Sequence, residues 1–247
     1  MNKVAVCAIA KNEARFADDF VRSAKTFADT VVVLDTGSTD ETPQILRAAG
    51  AMVFDYSFKD FLTHGFGHTR TALIEKVPKG VTWLHWLDID ERVTEADGHI
   101  IKNFSGDSPR FIETRTFPQA IEGFDIKDWR RHTSRPYSGF RHLRSHPHLP
   151  GFQWRGYIHE ELYVGDTHAY NRAVDSPVAH WHFTNMNPRQ DYPKQFLYGF
   201  FLDRGVRHPE LQKYTNGWWY STHVKTLPVA EQARIFREMC PDARDIS

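Results

Sequence analysis

Two rhythms of apolar and polar positions alternate along the first ninety residues. "KVAVCAIA" (3–10) is an unbroken apolar run of strand length, as expected of a strand buried on both faces. Residues 14–28 then space Phe16, Phe20, Ala24 and Phe27 along one helical face. "TVVVLD" (30–35) is β-branched and apolar, which predicts a second strand. In "TGSTDETP" (36–43), Asp40 suits a helix N-cap and Pro43 the first turn, where a missing N–H costs nothing. Gly50 suits the end of that helix. "AMVFDY" (51–56) predicts a third strand. Residues 66–77, with Phe66, Leu73, Ile74 and Val77, predict a helix, and "VTWLHWL" (81–87) a fourth strand.

Strand–helix alternation of this kind predicts an α/β fold, with a mostly parallel central sheet and helices on both faces. Ligands of such sheets bind beyond the carboxyl ends of the strands, where Asp35 and Asp88 fall. The second half is less regular. Strands are expected at 108–117 and 177–183, and helices at 188–203 and near 228–239. The basic stretch from Arg141 to His148, with His142, Arg144 and His146, reads as a loop ordering over a ligand, or as a contact for phosphate or an anionic acceptor. No linker or repeat forces a domain boundary.

Composition narrows the class. The 247 residues suffice for one sizeable core. Lys+Arg and Asp+Glu both total 31, a balance that gives no support for a nucleic-acid partner. Cys7 lies in the first apolar run as a small buried thiol and Cys240 near the other end. They suggest no disulfide framework, hence a reducing compartment. No run has the length of a membrane span, nor the form of a signal peptide. A soluble, cytoplasmic protein is expected. Fourteen histidines and an aromatic fraction of 14%, gathered in the second half, suit a cleft for sugar or bases and suit a core equally well.

Candidate chemistry centres on "WLHWLDIDERV" (83–93), an apolar strand that ends on Asp88, Asp90 and Glu91. On an extended chain, Asp88 and Asp90 would face one side together, with Ile89 facing the other. Two carboxylates so placed favour a cation between or near them, and hard oxygen ligands favour Mg²⁺ or Mn²⁺. A solvated acidic turn is the alternative.

The set "CAIAKNE", "VVVLDTGSTDET", "HGFGHTRTAL" and "WLHWLDIDE" resembles the nucleotide-sugar glycosyltransferases of the GT-A fold, above all the inverting family 2 group. The resemblance covers residues 3–93 well and the rest loosely. It implies a Rossmann-like GT-A domain over 1–247, with a nucleotide-binding half (1–93), an acceptor and catalytic half (94–190) and a C-terminal helical region (191–247). Ala8, Lys11, Asn12 and Glu13 would approach the nucleotide, mostly through backbone. Asp35 would bond base or ribose, and Gly37 would let the turn pass close to the ligand. Asp40 would contact the nucleotide or cap its helix. Arg70 would reach the nucleotide or diphosphate; Thr71 follows it where the family usually has Asn. Asp88 would touch ribose or a metal-bound water, and Asp90 would ligate Mn²⁺ or Mg²⁺.

In "WRGYIHEEL" (154–162) the resemblance points to Glu160 as the base that activates an acceptor hydroxyl. Glu161 is the nearest competitor, Asp125 and Asp128 are weaker ones, and His159 would orient the base or meet the diphosphate. "AHWHFTN" (179–185) resembles the late His-aromatic segment, from which His180 would complete the metal site; His182 shares its strand face. The implied partners are a UDP- or GDP-type donor and a glycan, lipid-linked sugar, peptide or small-molecule acceptor. The same Asp/His cluster also fits a metal-dependent hydrolase or nucleotidyltransferase.

Overall fold

The computed structural model describes residues 2–117 and 121–183. The helices expected at 188–203 and near 228–239, and Cys240, lie outside the described residues.

Fifteen strands and α-helices follow one another along the described residues: β1 (Val4–Ala10), α1 (Ala14–Ala24), β2 (Thr30–Asp35), α2 (Thr42–Ala48), β3 (Met52–Asp55), α3 (Phe58–Ile74), β4 (Trp83–Trp86), β5 (Glu91–Val93), α4 (Glu95–Lys102), β6 (Arg110–Thr116), β7 (Ser138–Pro147), β8 (Phe152–Arg155), β9 (Glu161–Val164), β10 (Thr167–His168) and β11 (Val174–His182). Eight strands form one sheet in the order β3-β2-β1-β4-β7-β6-β11-β5, and β10-β9-β8 form a small second sheet. The β3-β2-β1-β4 half is parallel throughout. β7 runs antiparallel between β4 and β6, β6 and β11 are parallel, and β5 closes the edge antiparallel to β11.

The unbroken apolar run of β1 has a direct cause. Val4, Val6, Ala8 and Ala10 enter one core with Phe16 and Phe20 of α1, Leu46 of α2 and Ile101 of α4. Ala5 and Cys7 enter a second core on the opposite face, with Leu73 of α3, Trp86 and Trp154. Both faces are covered, so no polar alternation is allowed. Each fully buried Phe or Val contributes about 1.5–3 kcal/mol of transfer free energy. Burial pushes the Cys7 thiol pKa up, so it is a packing group.

Three expectations are corrected. The helix expected over 66–77 begins eight residues earlier, at Phe58, with the Ser57 hydroxyl accepting the Asp60 N–H at 3.3 Å. The basic stretch around 141–148 is not a loop: it is most of β7, in the middle of the main sheet. Its polar and aromatic residues carry no apolar alternation, because one of its faces meets buried charge. Finally, β4 stops at Trp86, before the acidic residues. The chain turns there, and the Glu91 N–H donates to the Asp88 carbonyl at 2.8 Å. Strand alternation therefore does not govern Asp88 and Asp90. No helix among the described residues is long and apolar enough to cross a membrane.

Candidate active site

The carboxyl ends of β1 and β2 meet in a corner built from side-chain-to-backbone bonds. Asp35, the last residue of β2, accepts the N–H groups of Gly37 and Ser38 at 3.1 and 2.9 Å and the Ser38 hydroxyl at 2.5 Å. Gly37 sits at φ +86°, a left-handed conformation that glycine adopts without a Cβ clash. Lys11 lies over the Phe58 ring and donates to the Gly37 carbonyl at 2.7 Å. Asn12 also has positive φ, at 56°; its side-chain amide oxygen Oδ1 accepts the Thr39 N–H at 2.7 Å. The Glu13 N–H donates to the Thr42 hydroxyl at 2.7 Å. Asp40 is not itself at the N-cap, which is Glu41. Its carboxylate instead accepts from Thr42 N–H at 3.0 Å and Ala14 N–H at 3.3 Å, tying the starts of α2 and α1 together. Ala8 lies inside β1 with its side chain fully buried in the core, in register with Val33 of β2.

A second, charged corner lies beyond β4. Arg70 of α3 is buried, its guanidinium set 5.0 Å from the Trp86 ring and 5.5 Å from the Trp154 ring. It donates from Nε to Glu160 at 2.5 Å and from Nη2 to Asp88 at 3.2 Å. Its Nη1 is buried without a hydrogen-bond partner among the described residues. Arg144 of β7 grips the other side of Asp88, donating to both carboxylate oxygens at 3.3 and 3.0 Å. Burial opposes charge on both arginines, but the facing carboxylates outweigh it and hold both pKa values above the ordinary range. On the same strand, burial and then Arg144 hold the His142 imidazole down to about 4.

The "HGFGHTR" stretch explains how Glu160 arrives. Gly65, at φ +75°, breaks the regular winding of α3. The freed N–H groups of Phe66 and Gly67 donate to the carbonyls of Tyr157 and Gly156 at 2.8 and 2.9 Å. A Cβ on Gly65 would lie 2.4 Å from Tyr157 Cα, and one on Gly67 2.6 Å from Arg155 C. The 155–157 segment thus docks into the kink, and His159, at φ +51°, turns the chain so that the next residue meets Arg70. Glu161 begins β9 and pairs instead with His168 at 3.1 Å. Asp125 caps a 3-10 turn through Lys127 N–H, and Asp128 pairs with Arg131. Of the four carboxylates weighed from sequence, only Glu160 joins the charged corner.

The last strand brings His182, and not His180, to Asp90. His182 Nε2 lies 3.2 Å from Asp90 Oδ2, and its Nδ1 lies 3.3 Å from the Thr116 hydroxyl. His180 is fully buried, with Nε2 at 2.9 Å from His85 Nε2 and Nδ1 at 3.3 Å from Glu91 Oε2. His180 therefore faces His85 and Glu91 inside the sheet, whereas His182, two residues on, faces Asp90. Among the described residues, no three His, Cys, Asp or Glu side chains converge as a metal cage. Asp90 and His182 supply one hard oxygen and one imidazole nitrogen, a donor set that fits Mn²⁺ with its remaining positions filled by water and phosphate.

The sequence reading did not find the partners of Arg144 and Glu91, and it missed Arg92. Arg144 sat in a stretch without strand periodicity. Glu91 had no assignable partner. Arg92 is fully buried; it pairs with Asp19 at 2.7 Å and donates to the carbonyls of Ile89, Glu91 and Phe16, fixing the acidic turn against α1. Its adjacency to Glu91 was the only available signal.

No family model matches the chain. A TPR repeat-containing protein of Synechococcus elongatus is 33% identical over 93 residues, which is 38% of this chain and 22% of that protein. The match thus spans about a fifth of that relative's length. Among solved structures, glucosyl-3-phosphoglycerate synthase from Mycobacterium tuberculosis, in complex with Mn²⁺, UDP and phosphoglyceric acid, is 18% identical with a TM-score of 0.35, covering 47% of this chain and 43% of that one. Mannosyl-3-phosphoglycerate synthase from Rubrobacter xylanophilus is 18% identical with a TM-score of 0.37, covering 48% and 41%.

Proposed function

We propose that the protein is a metal-dependent, inverting glycosyltransferase of the GT-A type, moving a sugar from a UDP- or GDP-type donor to an acceptor hydroxyl. The observation that carries this is the convergence on Arg70: one buried guanidinium joins Asp88, 18 residues away, and Glu160, 90 residues away. Those residues belong to three separate motifs of the resemblance, and the fold assembles them at the carboxyl end of the sheet. The acceptor is a glycan, a lipid-linked sugar, a peptide or a small molecule.

In this reading the corner of Lys11, Asn12, Glu13, Asp35, Gly37 and Asp40 shapes the nucleotide side. Arg70 turns its spare Nη1 toward the diphosphate, where a guanidinium matches phosphate oxygens well. Asp90 and His182 hold Mn²⁺ or Mg²⁺, which when bound offsets negative charge on the departing diphosphate. Asp88, clamped by Arg70 and Arg144, faces the donor. Glu160 accepts the acceptor's proton as its oxygen attacks, on the far side of the sugar from the diphosphate.

A thermal-shift screen of UDP, GDP and their sugars, with Mn²⁺ and with EDTA, tests the reading. A nucleotide should raise Tm more with Mn²⁺ than with EDTA. Asp90→Ala should remove that difference. Absence of any metal-dependent nucleotide shift in the wild-type protein overturns the proposal.

A further inference from the structure

The acidic turn holds one more carboxylate, which the proposed reaction does not use. Glu91 is fully buried, and so are its neighbours His180 and His85. A carboxylate removed from water needs donors on its oxygens. Glu91 Oε2 accepts the Asp88 N–H at 3.0 Å and faces His180 Nδ1 at 3.3 Å, while Oε1 faces Arg144 Nη2 at 3.4 Å. His180 Nε2 in turn lies 2.9 Å from His85 Nε2.

This chain crosses the sheet through three elements. Glu91 lies on β5, His180 on β11 and Arg144 on β7, and β5 pairs with β11 in a register that sets Glu91 opposite His182. Each branch ends on a group of the donor site. The backbone of Asp88 hangs on Oε2, and Arg144 holds the side chain of the same Asp88. The register places His182 beside Asp90. Arg92 holds the opposite side of the turn through the carbonyls of Ile89 and Glu91.

We propose that Glu91 is a positioning residue of the donor site, supported by His180: it fixes the Asp88–Asp90 turn to β7 and β11, so that carboxylates and imidazole are aligned before a donor arrives. This assignment rests on the glycosyltransferase reading above. His180 then acts through Glu91 and not as a metal ligand.

The test compares UDP affinity with Mn²⁺ and with EDTA in the full chain, or GDP affinity if the screen selects GDP. Glu91→Gln keeps the size but places an amide N–H against donors on at least one side. It should reduce the Mn²⁺-dependent gain in affinity at least tenfold. His180→Leu, which leaves Glu91 in place, should reduce that gain severalfold. His180→Asn offers an N–H near the position of Nδ1 and should restore it. A purely structural role would lower Tm in all three variants and leave the gain unchanged. Retention of the full gain by Glu91→Gln or by His180→Leu therefore overturns the assignment alone. A wild-type protein without any gain overturns this assignment and the donor reading together.

Discussion

The two corners at the carboxyl end of the sheet are held by different kinds of bond. At β1 and β2, Lys11, Asn12, Asp35 and Asp40 bind backbone groups no more than 29 residues away, mostly across adjacent parallel strands. Beyond β4, charged side chains bind one another: Arg70 to Asp88 across 18 residues, and Arg144 to Asp88, Arg70 to Glu160 and His182 to Asp90 across 56 to 92. The first corner is a set of turns that fixes the shape of the chain. The second is a set of charges whose positions depend on several separate elements. Backbone-bonded turns suit a surface that a ligand lies on; opposed charges sharing one guanidinium suit a place where charge moves.

The comparison can be broken at its charged side first. Glu160→Gln should leave nucleotide binding in place and lower transfer by about 10²–10⁴-fold, the usual range for losing a general base. Initial rates of sugar transfer at saturating donor measure this, and unaltered rates would remove Glu160 from the base role.

Acid should act next. His146 of β7 is fully buried and held down to about 4 by burial; its Nε2 accepts the Trp86 N–H at 3.0 Å and so requires the unprotonated ring. The unfolded chain takes up that proton near its ordinary value of 6.5, whereas the folded protein resists it until about 4. Above pH 6.5 there is no penalty. Between 6.5 and 4, stability should fall by about 3 kcal/mol from this group alone, with His142 adding in the same direction. Urea midpoints at pH 7 and pH 4.5 check the sign and size.

Gly67→Ala probes how the second corner is assembled. Its Cβ would meet the backbone of Arg155 and Gly156, so the segment leading to Glu160 must move. Overpacking of this kind costs roughly 1–3 kcal/mol, and transfer should fall more than UDP binding does. Equal transfer by the variant would show that the kink does not place Glu160. The smallest effect belongs to the first corner. Asp40→Ala should lower stability by about 1 kcal/mol through two lost helix-start hydrogen bonds, and should weaken nucleotide binding only slightly, with the Mn²⁺-dependent gain retained. A large loss of binding there would erase the contrast between the corners.

Much of the first half was legible from the chain alone. The run in β1, the β-branched β2 and the helical spacing of Phe16 and Phe20 report local burial, and local burial repeats with a fixed period. That Asp35 and Gly37 sit at a turn after a strand followed from residue type. The sequence by itself thus determined the α/β order, the parallel character of the first four strands and the presence of carboxylates beyond β4. Tertiary structure decided the rest. A turn at Asp88 took the two carboxylates out of strand geometry and gave them different partners, Arg144 for Asp88 and His182 for Asp90. The insertion of β7 between β4 and β6 brought Arg144 to Asp88, the glycine kink in α3 brought Glu160 to Arg70, and the β5–β11 register gave Asp90 to His182 and buried His180 with Glu91. Long-range charge pairs have no period along a chain; their partners are fixed only when the strands between them take their places in the sheet.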